Sequence, residues 1–195
     1  MEEKMKKKVI WLGLGLLTAA AMLLASCGTS SGTTSMTTTS TGTSTTGVVL
    51  TVTNGSTTKT YTLAELQALQ SITGKGGTLI SGLSSCQGVA VMDLLNAVGG
   101  ISSGESIIIN AAHSYTKTLT YDQVVNSNFN YYDVNGNTIT PTVKPVLTAI
   151  YFENGFSLST DTVHGPVQLG IISDQNLATD AGFWLDNIKE IDIIH

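Results

Sequence analysis

The pattern of apolar and polar positions divides the chain into three parts. An uncharged, mostly apolar run covers 9–24 and follows four lysines. A stretch made almost entirely of serine and threonine covers 29–46. From Val48 onward, short apolar segments alternate with polar turns up to the last residues. The pattern therefore predicts an apolar N-terminal segment, a polar spacer and one folded domain at 48–195.

Within this domain, most of the apolar segments predict β-strands. Val48, Leu50 and Val52 alternate with small polar residues, as in a half-buried strand. Asn54-Gly55 favours a hairpin turn into a second strand at 57–61, because both residues tolerate positive φ. Further strands are predicted at 107–109, 117–119, 129–134, 138–139, 145–152, 167–172 and 188–194, with a second hairpin turn at Asn135-Gly136.

A few short helices are predicted between these strands. Thr62 to Glu65 and Thr120 to Gln123 have the spacing of a helix capping box. A third helix fits 91–98, because the glycine pair that follows would end it. The glycine-rich segment 71–85 is compatible with either a loop or a strand. Short helices dispersed among many strands predict an α+β domain that is mainly β.

The N-terminal part has the organisation of an export signal. Lys4, Lys6, Lys7 and Lys8 precede an apolar run of 16 residues. As a helix this run would extend about 24 Å at ~1.5 Å per residue. A membrane hydrocarbon core is roughly 30 Å thick, so a cleaved signal peptide is favoured over a permanent transmembrane helix.

The end of this run, Leu24-Ala25-Ser26-Cys27, resembles the lipobox of bacterial lipoproteins. The resemblance implies that the signal peptide 1–26 is removed and that Cys27 carries acyl chains such as palmitate. These chains would anchor the protein in the cell membrane or outer membrane, on the outer side, with 27–47 as a disordered tether. The alternative is an ordinary cleaved signal followed by an unmodified cysteine.

Charge and cysteine content limit the partners of the domain. From Val48 onward there are five lysines against twelve acids, a formal charge of −7, and the chain contains no arginine. An acidic domain of this kind is a poor partner for nucleic acid. With Cys27 lipidated, Cys86 would have no partner for an internal disulfide.

Four segments of the domain resemble the sulfite-oxidase-like, molybdopterin-binding oxidoreductase family. They are 88–95 (GVAVMDLL), 117–124 (KTLTYDQV), 165–169 (GPVQL) and 184–194 (WLDNIKEIDII). The resemblance implies a mainly β sulfite-oxidase-like fold with short helices over 48–195. It also implies an oxidoreductase whose molybdenum is bound by a cysteine thiolate.

The residues that would carry this chemistry depart from the family pattern. The ligand cysteine of the family precedes the Val-and-Leu helix by a longer stretch than Cys86 does, and Gln168 stands where the family often has arginine. Anions such as a pterin phosphate or sulfite favour a guanidinium group, and general secretion of an unfolded chain would not carry a cytoplasmic cofactor.

We therefore expect no catalytic residue, no metal and no cofactor, and a domain that binds a small ligand or a surface protein. A molybdopterin-dependent oxidoreductase with Cys86 as metal ligand is the alternative, and a purely structural surface module is a third hypothesis. Cys86, His113 and His164 are the candidate ligand- or cofactor-binding residues. Their competing interpretation is a buried thiol and two loop histidines.

Overall fold

The computed structural model describes residues 47–158 and 164–195. The predicted signal peptide, the lipidated Cys27 and the tether up to residue 46 lie outside the described residues. Among the helices that are described, none is long and apolar enough to cross a membrane.

The described chain is built mainly from β-strands, with short helices between them. The strands are β1 Val48–Asn54, β2 Thr57–Thr62, β3 Ile72–Thr78, β4 Gly82–Ala90, β5 Ser106–Ala111, β6 Thr116–Thr120, β7 Tyr131–Tyr132, β8 Thr138–Ile139, β9 Val146–Glu153, β10 Phe156–Ser157, β11 Gln168–Ile172, β12 Ala178–Thr179 and β13 Ile188–Ile194. The α-helices are α1 Leu63–Ala68, α2 Val91–Asn96 and α3 Tyr121–Asn126, and 3-10 turns cover Ala112–Ser114 and Ala181–Phe183. The prediction of a mainly β, α+β fold is confirmed.

These strands form two sheets. The five-stranded sheet has the order β2-β1-β13-β5-β6, and its β1–β13 pair is parallel while the other neighbours are antiparallel. The eight-stranded sheet follows the path β10-β9-β4-β3-β12-β7-β8, and β11 pairs with β9 beside it. The C-terminal strand β13 therefore lies in the middle of the first sheet, next to the first strand of the domain.

The main core is formed by the apolar positions that alternate along these strands. Leu50 and Val52 of β1, Ile107 and Ile109 of β5 and Ile191 of β13 have no exposed surface. Since successive side chains of a strand point to opposite faces, this alternation places one face of the sheet in the core. Helix α2 adds further buried leucines to the same cluster.

Both predicted capping boxes are present. The Thr62 hydroxyl accepts a hydrogen bond from the backbone N–H of Glu65 at 3.2 Å, and the Glu65 carboxylate accepts from the Thr62 N–H at 2.7 Å. Thr120 and Gln123 make the same reciprocal pair at 3.3 and 3.0 Å. Each box satisfies backbone donors that the first helical turn leaves unpaired.

The glycine-rich segment, undecided from the sequence, forms the hairpin of β3 and β4. Lys75 of β3 also exchanges backbone hydrogen bonds with Ser173, just after β11, at 2.8 and 2.9 Å. A Cβ atom on Gly74 would lie 2.8 Å from the Ser173 carbonyl oxygen. Glycine is therefore needed here because another part of the backbone approaches closely.

Candidate binding cleft

Trp184 occupies a position that two glycines leave open for it. A Cβ atom on Gly76 would lie 2.7 Å from Cη2 of Trp184, and one on Gly170 would lie 2.5 Å from its Cζ3. The indole Nε1 donates a hydrogen bond to the Thr179 hydroxyl at 2.9 Å. The ring is therefore held against the backbones of β3 and β11 while part of it remains exposed.

The residues after Trp184 run beside the start of β11. Leu185 and Leu169 exchange backbone hydrogen bonds at 2.8 and 3.1 Å, and the Ile188 N–H donates to the Val167 carbonyl at 2.9 Å. This pairing brings the side chains that follow Trp184 close to that of Gln168, the first residue of β11.

A polar chain connects Gln168 to a histidine through Asp186. The Gln168 Nε2 donates to Oδ1 of Asp186 at 2.5 Å, and Oδ2 of the same carboxylate lies 4.0 Å from Nε2 of His164. Gln168 is only 8% exposed, whereas the Asp186 and His164 side chains are about half exposed. The buried amide therefore fixes the orientation of a carboxylate that solvent can reach.

The Gln168 amide also has a buried oxygen, Oε1, with no hydrogen-bond partner among the described residues. Leaving a buried acceptor unpaired costs about 1–3 kcal/mol. Gln168 is a candidate ligand contact because it also lines the cleft described next.

These side chains border a cleft of about 440 Å³, which we call the Trp184 cleft. Its volume lies within the range of about 300–1,000 Å³ that is usual for small-molecule sites. Two carboxylates, but no lysine, are among the described residues that line it. The lining comprises Gly76, Gly77, Thr78, Ile80, Ser81, Ser84, Glu153, His164, Gln168, Ala181, Trp184 and Asp186.

His113 borders a different cleft, of about 520 Å³, which we call the His113 cleft. His113 has φ of 59° and lies in the turn Ala112–Ser114, which is tied to Asn187 by a 3.0 Å hydrogen bond from the Ala112 N–H to the Asn187 carbonyl. Trp184 and Asp186 line this cleft as well as the Trp184 cleft. The two candidate histidines therefore border neighbouring clefts rather than one site.

Cys86 is not among the lining residues of either histidine cleft. It is 4% exposed, packs with Ile150, Leu158 and Ile172, and borders a third, separate cleft. Burial raises the pKa of its thiol to about 12; the Glu153 carboxylate adds to the rise, and a hydrogen bond from the Gly76 backbone opposes it. At neutral pH, Cys86 is therefore a protonated thiol that packs as a small apolar side chain.

The residues present do not fit a molybdopterin site built on Cys86. A metal ligand must be a thiolate, and the environment of Cys86 disfavours that form. A pterin phosphate needs donors and positive charge, and Lys75, the one lysine among the described lining residues of the cleft that Cys86 borders, donates to Asn176. For metal sites of another kind, those held by three or more His, Cys, Asp or Glu side chains, no such group is found within 47–158 and 164–195.

Sequence reasoning selected His164 but missed its neighbours in the cleft. It noted Gln168 only for the absence of arginine, counted Asp186 among the surface acids and gave Trp184 no binding role. One feature of the sequence could have drawn attention to Trp184. The chain has two tryptophans, and Trp184 is the one that lies in the domain, while the other is Trp11.

Comparison with known proteins gives a match among solved structures alone. No protein-family model matches the sequence, and no curated protein matches it. Among solved structures, the chain is similar to the sulfane dehydrogenase SoxCD from Paracoccus pantotrophus, with a TM-score of 0.48 and 15% sequence identity over 74% of this chain. The match spans 37% of the length of that protein's chain. At this level of similarity, no activity or residue role is transferred from SoxCD to this chain.

Proposed function

We propose that this protein is a lipid-anchored, extracytoplasmic ligand-binding protein that does not use molybdenum catalysis. The Trp184 cleft is its binding site. The observation that carries the proposal is a partly exposed indole beside a buried amide whose oxygen lacks a partner among the described residues.

The make-up of the cleft supports binding of a small molecule. The indole offers an apolar surface that is already ordered by Gly76, Gly170 and the hydrogen bond to Thr179. An ordered aromatic surface loses little conformational entropy when a ligand packs on it. The Gln168 amide and the Asp186 carboxylate add acceptors that would orient the ligand.

Ligand binding can be tested with saturation-transfer NMR and a small-molecule library that contains cations, neutral molecules and anions. The full chain in a nonionic detergent should give hits that are lost in Trp184→Leu. Tyr115→Leu is the matched control, because Tyr115 is 54% exposed and lines the His113 cleft but is not among the lining residues of the Trp184 cleft. An absence of hits, or hits that survive Trp184→Leu, would contradict the proposal.

The membrane anchor is proposed from the lysines, the apolar run and the lipobox-like residues that end at Cys27. In a bacterial host, Cys27→Ser should release the protein from the membrane fraction or leave its signal uncleaved. Cys86→Ser should not, because that thiol lies inside the domain. Mass spectrometry should find an acylated Cys27 at the mature N-terminus, and an unmodified Cys27 would refute the anchor.

A further inference from the structure

We infer that the ligand of the Trp184 cleft is a small primary amine with an apolar carbon body. Its ammonium group would lie at Asp186 and Glu153, and its body against Trp184 and Ile80. The inference rests on the proposed function and specifies the ligand class.

The charge of the cleft favours a cationic ligand. Asp186 and Glu153 both line it, and no lysine is among its described lining residues. Lys117 Nζ lies 4.5 Å from the centre of the Phe183 ring and Lys75 Nζ donates to Asn176 at 3.1 Å, and neither lysine is among the lining residues. His164, 4.0 Å from Asp186, is the basic side chain among the described lining residues. A concave surface with this charge favours a cation and disfavours an anion.

Apolar surface lies beside these carboxylates. Trp184 offers a large aromatic face on which an apolar carbon body can pack. Ile80, at the tip of the β3–β4 hairpin, is 92% exposed and lines the same cleft. Carboxylates next to exposed apolar side chains match a ligand with a charged head and an apolar body.

Hydrogen bonding favours a primary ammonium over a sugar or a quaternary ammonium. A primary ammonium can donate N–H bonds to the Asp186 and Glu153 carboxylates that line the cleft, whereas a quaternary ammonium has no N–H to donate. A sugar needs donors from the protein for its own oxygens, but the Gln168 Nε2 already donates to Asp186. The Thr78 and Ser81 hydroxyls pair with each other at 2.9 Å. The cleft is therefore richer in available acceptors than in available donors.

The test uses four probes, three of which share one carbon ring. Cyclohexylamine, cyclohexanol and cyclohexanecarboxylate differ in charge at pH 7, and methyl glucoside represents a neutral sugar. Binding is measured on the full chain carrying Trp11→Phe, in a polyoxyethylene detergent, so that fluorescence reports Trp184 alone. We expect the amine to bind at least tenfold more tightly than cyclohexanol, which corresponds to about 1.4 kcal/mol, and the carboxylate not to bind.

Charge-removing variants locate the ammonium. Asp186→Asn and Glu153→Gln should each weaken binding of cyclohexylamine at least threefold and leave that of cyclohexanol unchanged. Asp174→Asn is the control, because it removes one negative charge from an exposed site that does not line the cleft. An equal loss in Asp174→Asn would overturn the inference, since the effect would then come from net charge.

Other outcomes separate this inference from the proposed function. If cyclohexanol binds as tightly as the amine, or methyl glucoside binds more tightly, the assignment of an amine ligand is overturned. The proposal that the Trp184 cleft binds a ligand would still stand. A tenfold preference for Nα-acetyl-lysine methylamide over cyclohexylamine would overturn the small-molecule ligand in favour of a peptide. If none of the probes bind but the wider library gives hits that depend on Trp184, the inference fails and the proposed function stands.

Discussion

Replacing Gly170 by alanine should disturb the position of Trp184. The new Cβ would lie 2.5 Å from Cζ3 and 2.7 Å from Cη2 of the indole, and 2.7 Å from Cδ1 of Ile150. Contacts this short force the ring to move, because the alternative is to shift the backbone of β11, all of whose residues are buried.

The magnitude follows from two contributions. Overpacking of a well-packed site costs about 1–3 kcal/mol. If the ring moves, its 2.9 Å hydrogen bond to Thr179 is also lost, at a cost of about 1 kcal/mol. We therefore expect Gly170→Ala to lower the free energy of unfolding by about 2–4 kcal/mol.

The assay is equilibrium urea unfolding of the full chain, followed by circular dichroism. Gly182→Ala is the matched control, because a Cβ there would meet only Lys117 Nζ, at an ordinary 3.6 Å. This control should change stability by less than about 1 kcal/mol. In a double-mutant cycle, Trp184→Leu should remove most of the penalty of Gly170→Ala. An undiminished penalty in the Trp184→Leu background would refute the reasoning.

Three further predictions test other parts of the domain. Iodoacetamide should not alkylate Cys86 in the folded protein at pH 8, because burial raises the pKa of its thiol to about 12. The urea-unfolded protein should react. Rapid labelling of Cys86 in the folded chain, located by peptide mass spectrometry, would contradict this prediction. Ile191→Ala should lower the free energy of unfolding by about 2–5 kcal/mol, because Ile191 has no exposed surface. The control Lys189→Ala, at an exposed position of the same strand, should change the free energy of unfolding by no more than about 0.5 kcal/mol. Similar losses in both variants would argue against the observed register. Burial, with help from the Glu190 carboxylate, raises the pKa of Asp192, so the native state binds its proton more tightly than the unfolded state does. The free energy of unfolding therefore falls as the pH rises from the ordinary pKa of an aspartate to the raised value. Asp192→Asn should stabilise the protein at pH 7 but not at pH 2.5, and an equal effect at both pH values in thermal unfolding would refute the role of charge.

Local elements were predictable because their signals lie within a few residues. The capping boxes at Thr62 and Thr120 depend on side chains three positions away, and both formed as predicted. The alternation at Val48, Leu50 and Val52 gave β1 with its inward face. Short-range hydrogen bonding and strand periodicity are properties of neighbouring residues, so they can be read without knowing the rest of the fold.

The structure of the glycine-rich segment could not be predicted from neighbouring residues. Glycine has no side chain, so Ile72–Thr78 carries no apolar periodicity that would indicate a strand. Its strand conformation is supported by β4 and by Ser173, about a hundred residues later along the chain. A side chain at Gly76 would collide with the Ile171 carbonyl and the Trp184 ring, which are both far from it in sequence.

The surroundings of the candidate site residues could not be predicted from neighbouring residues either. Cys86, His113 and His164 were selected by residue type, and the structure places them at three different clefts. The chemistry of Cys86 depended on burial, which its sequence neighbours do not reveal. Gln168 and Asp186 meet only because β11 and the segment after Trp184 exchange backbone hydrogen bonds.

By itself, the sequence determined the mainly β character of the domain, the starts of two helices and an acidic composition without arginine. The export signal and lipid anchor remain predictions from the same source. Only the tertiary structure decided which side chains share a cleft and which thiol is buried. The physical reason is that strand and helix signals act over a few residues, whereas a binding site is assembled by contacts between distant segments.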